Sequence, residues 1–291
     1  MTDRTNRPEV RTFFHEPTNT AAHLVWDPTT KAAAIIDSVL DYDAAAGRTD
    51  TEFADQILAG AAEEGVQVAW ILETHAHADH LSAAPYLKDR TGAPIGMGRR
   101  IVEVQRVFRP IFHATDLNPD GGQFDRLFDD EETFPLGNLS VRVLHTPGHT
   151  PACATYVIGD AAFVGDTLFM PDYGTARADF PGGDARTLYR SIRRVLSLPA
   201  TTRLFLCHDY KAEGRDHYAW ETTVAEERAA NVHVRDGITE DEFVAMREAR
   251  DRTLKMPALI IPSIQVNMRA GRMPPPEEDG HVYLKVPVNR L

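Results

Sequence analysis

The stretch Thr74-His75-Ala76-His77-Ala78-Asp79-His80 puts four candidate metal ligands into six residues. It follows the apolar run Val68 to Leu72, which reads as a buried strand, and it precedes Leu81 to Leu87, whose pattern predicts a helix. Where such a strand ends and the chain turns, alternating side chains can converge on one point, and small Ala76 and Ala78 leave room for that convergence. Imidazole nitrogen and carboxylate oxygen suit zinc, iron, nickel or manganese, whereas a structural zinc site would call for thiolates. An isolated pair of histidines would read as a solvated loop or as caps for the next helix. Four donors so closely spaced read as a metal site.

Three further stretches repeat the arrangement: Thr146-Pro147-Gly148-His149-Thr150, Gly165-Asp166-Thr167 and Cys207-His208-Asp209. Each donor leaves the end of a predicted strand (Val141 to Leu144, Ala162 to Val164 and Arg203 to Leu206), where a sheet can hold a side chain rigidly. Val10 to Phe14, His23 to Trp26 and Ala33 to Ile36 read as short strands, with turn chemistry at Asp27-Pro28-Thr29-Thr30, and Thr155 to Ile158 as another. Helices are predicted from about Asp50, with Phe53, Ile57, Leu58 and Ala61 on one face, over Ile101 to Phe108, and over Asp184 to Leu198 with Asp184 as cap. Thr239 and Glu242 form a capping-box pattern opening a last helix that holds Phe243, Met246 and Leu254. No internal repeat or low-complexity linker divides the chain.

The 291 residues, 43% hydrophobic and 25% charged, suit a globular enzyme, and disorder over most of the length is excluded. A formal charge of −12 without a basic stripe argues against a nucleic-acid partner. An acidic chain repels anions, so an anionic substrate requires local Arg or Lys residues at the site. Two cysteines without C-x-x-C spacing indicate neither a disulfide framework nor a thiolate zinc site, and a reducing cytoplasm is the expected compartment. Met1 to Val10 is polar, with no apolar leader core, and no stretch reaches the roughly 18 apolar residues of a membrane span.

His75, His77, Asp79, His80, His149, Asp166 and His208 together resemble the ligand pattern of the metallo-β-lactamase superfamily. That resemblance covers about Arg11 to Leu254 and implies an α/β fold, an αββα sandwich of two mixed sheets with helices outside and the site at one edge. The whole chain, 1–291, is expected to form a single domain of this fold, with 255–291 as a C-terminal extension packing on it. In dinuclear hydrolases of the superfamily, of glyoxalase II type, one metal takes the residues matching His75, His77 and His149. A second takes those matching Asp79, His80 and His208, and Asp166 bridges.

A narrower resemblance runs through Asp37-Ser38-Val39-Leu40-Asp41-Tyr42-Asp43, Asp172-Tyr173-Gly174-Thr175-Ala176-Arg177-Ala178-Asp179-Phe180 and Val266-Asn267-Met268-Arg269. These stretches are similar to persulfide dioxygenases, which oxidise glutathione persulfide. The resemblance implies one Fe(II) per chain, held by His75, His149 and Asp166 as a facial triad with open positions for substrate and O2. His77, Asp79, His80 and His208 then surround the iron as catalytic residues that orient ligands or waters. The expected partners are glutathione persulfide and O2, with sulfite and glutathione as products. Arg177, Arg215 and Arg269 are expected as cationic anchors for glutathione, with Tyr173, Tyr210 and Asn267 as hydrogen-bond partners.

The full ligand set also supports the alternative of a dinuclear zinc thioester hydrolase with two Zn(II) per chain, and a catalytically silent sulfur-binding protein is a third reading. His15, His23, His113, His145, His217, His233 and His281 read as surface or locally hydrogen-bonded residues, and Cys153 and Cys207 as small buried ones, although Cys207 could be oxidised by a sulfur substrate. Asp37, Asp41 and Asp43 lack the spacing of an EF-hand calcium loop and read as a turn or dimer contact. A homo-oligomer, simplest as a dimer, is the expected assembly.

Overall fold

In Ala32–Ile36 and Gln67–Glu73 the apolar side chains fall on both faces, as expected of strands covered on both sides, and the two lie parallel with Ile36 opposite Leu72. The computed structural model describes residues 7–291, so Met1–Asn6, part of the polar stretch read for a leader, lies outside the described residues. Around this pair a six-stranded mixed sheet forms in the order β1 (Glu9–His15), β2 (Thr20–Trp26), β3 (Ala32–Ile36), β6 (Gln67–Glu73), β8 (Ile95–Gly98), β9 (Arg126–Phe128). A second six-stranded sheet runs β10 (Thr133–Leu136), β11 (Leu139–His145), β12 (Ala154–Ile158), β13 (Ala161–Phe163), β14 (Arg203–Phe205), β15 (Glu221–Thr223). A small third sheet joins β4 (Val39–Asp43) to β5 (Arg48–Asp50) and to β7 (Leu81–Ser82).

The two-residue period of a strand divides the core into layers. Val25, Ala34, Ile36 and Leu72 of the first sheet meet Val141, Val143, Tyr156, Phe163 and Phe205 of the second, filling the space between the sheets. Their neighbours Leu24, Ile35 and Ile71 point the other way, onto α1 (Glu52–Glu63), α2 (Ala84–Thr91) and α3 (Ile101–Ile111) through Phe53, Ile57, Leu87, Val104 and Phe108. On the far side Ala162, Leu204 and Leu206 pack against α4 (Ala185–Val195), α5 (Val224–Ala230) and α6 (Glu240–Asp251) through Leu188, Ile192, Val224 and Phe243. Helices thus cover both outer faces, which is the αββα sandwich. Ile260 and Ile264 of α7 (Ile260–Asn267) join the first of these outer layers, so the segment after α6 returns to the opposite side of the molecule.

Several local expectations hold. Asp184 Oδ1 accepts from Thr187 N at 2.7 Å, and Thr239 with Glu242 forms a reciprocal capping box. Two are corrected. Leu81 to Leu87 is not one helix: Leu81 and Ser82 pair antiparallel with Leu40 and Val39, Ser82 N donates to Asn267 Oδ1, and α2 begins only at Ala84, with Pro85 in its first turn. Tertiary pairing prevails there over helical spacing, and proline is tolerated in a first turn because its missing N–H has no partner there to lose. Leu254 lies beyond α6, which ends at Asp251, and its side chain is exposed.

Candidate metal centre

The donors gather where the strands of both sheets end. Glycine immediately precedes two of them. Gly165 has φ +52°, and a Cβ there would lie 2.5 Å from Thr74 Oγ1; Gly148 has φ +140°, and a Cβ there would meet the Leu188 backbone. Each glycine lets the chain pass a neighbouring element closely and deliver His149 or Asp166 into the site.

Two donor groups result. His75, His149 and Asp166 form one; His77, Asp79, His80 and His208 form the other, and within each group the ligand atoms lie within 4.8 Å of one another. Asp166 faces both: its Oδ2 is 3.8 Å from His75 Nε2 and 3.6 Å from His149 Nε2, while its Oδ1 is 3.4 Å from His208 Nε2. All seven are buried except Asp79, which is partly open at the mouth.

Each imidazole has one nitrogen tied down and the other left bare. The Thr74 hydroxyl donates to Asp37 Oδ2 at 2.8 Å, so it can only accept from His75 Nδ1–H at 3.0 Å, which leaves the Nε2 lone pair free. His149 Nδ1–H donates to the Arg177 carbonyl at 2.8 Å, and His208 Nδ1–H to the Asn19 carbonyl at 3.0 Å. His77 is reversed: its Nε2–H lies 3.1 Å from both Asp37 Oδ1 and Glu73 Oε2, so its bare atom is Nδ1. His80 Nδ1 has Thr20 Oγ1 and Asp79 Oδ2 each at 3.4 Å. Among the described residues the buried atoms His75 Nε2, His77 Nδ1, His80 Nε2, His208 Nε2 and Asp166 Oδ1 have no hydrogen-bond partner. An unpaired buried polar atom costs about 1–3 kcal/mol, so five gathered in the two adjoining donor groups fit a site for cations.

The electrostatics favour the neutral, ligating form for two of the imidazoles, His75 and His80, whereas for His77 and His208 the effect of burial is outweighed by nearby carboxylates, which raise them. Burial, then the neighbouring His77 and His149, push His75 well below its usual pKa, and burial with His77 pushes His80 down to about 4. Both are therefore neutral donors near pH 7. Burial opposes charge on His77, yet Asp37 and Glu73 raise its pKa well above the usual value. Asp79 is likewise buried, but His208 and His80 hold its carboxyl below the ordinary carboxylate range.

Sequence reading missed Asp37 and Glu73 as site residues. Asp37, expected in a turn or dimer contact, is buried beneath the centre, where it accepts from Thr74 N, Thr74 Oγ1 and His77. Glu73 accepts from His77 and, at 2.6 Å, from the Ser82 hydroxyl. The signal was present, since each closes an otherwise apolar strand run with a carboxylate, on adjacent parallel strands. Asp41 accepts from Phe53 N, and Asp43 ends β4 and caps the turn that follows it, accepting from Ala45 N.

The expected glutathione contacts are placed differently. Arg177 spends Nε and Nη2 on Asp179 and Nη1 on the Lys255 carbonyl. Arg215 forks onto Asp209 and Asp172, and Arg269 onto Asp116 and the Gln265 carbonyl. Asn267 donates to the His77 and His80 carbonyls at 2.8 Å and so braces the ligand turn from α7. These four are scaffold in this structure, not free anchors. Tyr173 and Tyr210 do flank the centre: Tyr210 stacks on His208 with ring centroids 5.7 Å apart, and Phe169 and Tyr173 continue the aromatic wall. Of the remaining histidines, His23 is buried and bonded to the Leu206 carbonyl, His15 to Thr18 and Asp41, and His233 to Thr175.

The chain belongs to the metallo-β-lactamase superfamily, whose profile matches residues 15–208. It is 58% identical to a probable metallo-hydrolase of Burkholderia pseudomallei over 97% of this chain and 99% of that protein. It is 48% identical to Glyoxylase B2 of Dictyostelium discoideum over 98% of this chain and 99% of the relative. A beta-lactamase hydrolase-like protein of Xylella fastidiosa, 54% identical over 98% of this chain, is longer, and the chain spans 65% of it. The mitochondrial persulfide dioxygenase ETHE1 of Bos taurus is 27% identical over 92% of this chain and 90% of its own length. Among solved structures, ETHE1 from Myxococcus xanthus superposes with a TM-score of 0.72 at 30% identity, covering 91% of this chain and all 100% of that one. Among the described residues no helix is long and apolar enough to cross a membrane.

Proposed function

We propose that the chain is an iron-dependent persulfide dioxygenase that converts glutathione persulfide, O2 and water to glutathione and sulfite. The observation that carries this reading is the triad His75, His149 and Asp166, two imidazoles and one carboxylate with fixed tautomers and bare donor atoms. Two histidines and one carboxylate on one face suit Fe(II), which when bound supplies open positions where O2 and a soft persulfide sulfur can meet. The structural likeness to ETHE1 supports the same assignment.

The chain's own contribution is orientation and exclusion of water. Asp37, through Thr74, fixes His75, and the Arg177 carbonyl fixes His149. Phe169, Tyr173 and Tyr210 wall one side of the centre. Arg250 sits over the Tyr173 ring, 6.0 Å from its centroid. Among the described residues its guanidinium makes no hydrogen bond or ion pair, so in this reading it replaces Arg177 as the anchor for a glutathione carboxylate. A cavity of about 400 Å³ opens beside His80, lined by His15, Thr18, Asp41, Tyr42 and Arg48, and offers room for the peptide portion.

A dinuclear zinc thioester hydrolase is the second reading. It is favoured by Asp166, whose two oxygens face the two donor groups as a bridging carboxylate does, and the relatives support it at least as strongly, 48% identity to Glyoxylase B2 standing against 27% to ETHE1. An oxygen electrode separates the two. Protein loaded anaerobically with iron is expected to consume O2 on addition of glutathione persulfide and to release sulfite in equal amount. Absence of uptake by folded, iron-loaded protein, with turnover of S-lactoylglutathione by the zinc form, would establish the hydrolase instead.

A further inference from the structure

His75 and His149, the two imidazoles of the triad, are each held through an intermediary. For His75 it is the Thr74 hydroxyl, which donates to the buried Asp37 carboxylate. For His149 it is the Arg177 carbonyl, and the other end of the same peptide group is also engaged: Ala178 N donates to Asp251 Oδ2 at 2.9 Å. Asp251 closes α6 and is buried, and its Oδ1 accepts from Arg247, one helical turn earlier, at 2.9 Å from Nε and 2.6 Å from Nη2. Arg247 is 1% exposed, and its remaining arm, Nη1, donates to the Thr175 carbonyl at 3.0 Å. The pair therefore grips the stretch from Thr175 to Ala178 at both ends. A buried ion pair gains little stability over well-packed apolar side chains, so the informative feature is where its outward arms go. Both go to the stretch that presents His149 with its acceptor.

We propose that Asp251, held by Arg247, acts through the Arg177–Ala178 peptide as the positioning carboxylate of His149. The inference rests on His149 ligating a metal, which the dioxygenase and hydrolase readings share, and not on either reaction. A negative charge that accepts from the Ala178 N–H polarises that amide and pushes electron density onto the Arg177 oxygen, making it a stronger acceptor. His149 Nδ1–H is thereby fixed, the Nε2 lone pair is aimed at the centre, and the ring becomes a more basic ligand. Charge drawn from the ring at Nε2 in turn makes Nδ1–H a stronger donor, so ligation and carboxylate reinforce each other across one ring and one peptide. Asp251 thus stands to His149 as Asp37 stands to His75, with a peptide in place of a hydroxyl. His208 donates instead to the Asn19 carbonyl, which neither Asp251 nor Arg247 touches, and so provides a reference within the same centre.

The test is proton–nitrogen NMR of the full chain with isotope-labelled histidine, metal-stripped and then titrated with zinc as a diamagnetic probe. In Asp251→Asn the His149 Nδ1–H resonance is expected to move upfield and to exchange faster with solvent, while the His208 Nδ1–H resonance stays in place. The zinc dissociation constant read from the His149 ring signals should rise by about 10-fold. A folded Asp251→Asn variant with unchanged His149 signals and zinc affinity would make the pair a pin for α6 and overturn the proposal, as would equal changes at His149 and His208. Should Asp251→Asn fail to fold, the wild-type chain decides the matter through its backbone amides. Zinc loading should move the Ala178 amide proton downfield, because its bond to Asp251 tightens, and should leave the Thr239 amide, which donates to Glu242 at the other end of α6, unmoved. An Ala178 resonance indifferent to zinc would refute the coupling.

Discussion

Two sets of buried or half-buried polar side chains in this molecule end in opposite states. In the metal centre every imidazole has one nitrogen pinned and the other bare; in the arginine set, Arg177, Arg215 and Arg269, every guanidinium arm is taken by a carboxylate or carbonyl of the chain. The difference separates a site from a scaffold. A fold leaves polar atoms bare and buried at a cost, so convergence of several such atoms points to an occupant. A single bare atom does not: Glu227 Oε1 is also buried and unpartnered, yet its other oxygen accepts from Asn231 and it faces no second donor group.

The largest effect expected from this contrast is on metal content. His149→Ala and Asp166→Ala should each lose nearly all bound iron, measured by elemental analysis after gel filtration, because each removes one of three protein ligands. Near-normal iron in either would break the assignment of the triad. Asp37→Ala should come next. It strips Thr74 N, Thr74 Oγ1 and His77 of a common acceptor, and removal of one partner from a buried charged network costs about 3–5 kcal/mol, readable by urea denaturation of the metal-free protein. Retained stability would show that water replaces the carboxylate.

His208→Ala should keep its iron while activity falls by about 10–100-fold, as is typical when a group around a metal's ligands is lost. Loss of the iron as well would make His208 a ligand of it. The arginines sharpen the contrast at smaller scale. Arg177→Lys should leave the KM for glutathione persulfide unchanged, since its fork is already spent on Asp179, whereas Arg250→Ala should raise that KM by about 10-fold. The reverse pattern in steady-state kinetics would return Arg177 to the substrate.

Glu227 gives an effect that depends on pH and leaves the metal centre untouched. Burial raises its carboxyl from the usual 4.5 to about 8, so the folded state holds a proton that the unfolded chain gives up earlier. Stability from this group is fully present below about 4.5 and is lost as pH rises through about 8. Glu227→Gln should therefore match wild type in thermal melts at low pH and gain on it progressively toward pH 8. Parallel melting curves across that range would show that Glu227 is ionised in the fold.

What could be read from the sequence follows the same division. The strands of the two sheets and the helices over them were legible because period-two and helical apolar patterns are local. The seven donors were legible because each sits within a few residues of a strand end. Leu81 and Ser82 were misread as helix because their partners, Leu40 and Val39, lie some forty residues away and no local rule carries that pairing. The pairing of two of the arginines was equally hidden: Arg215 is held by Asp172 and Arg269 by Asp116, partners separated by 43 and 153 positions. A sequence displays which groups can bind a ligand; only the fold shows which have already been used.

The central claim is that His75, His149 and Asp166 hold one redox-active iron. Elemental analysis of the full chain, purified without chelators after growth with both metals supplied, tests it most directly. About one iron per chain, removed by Asp166→Ala, is the predicted result. Two zinc ions per chain with iron near zero would contradict it and give the centre to hydrolysis.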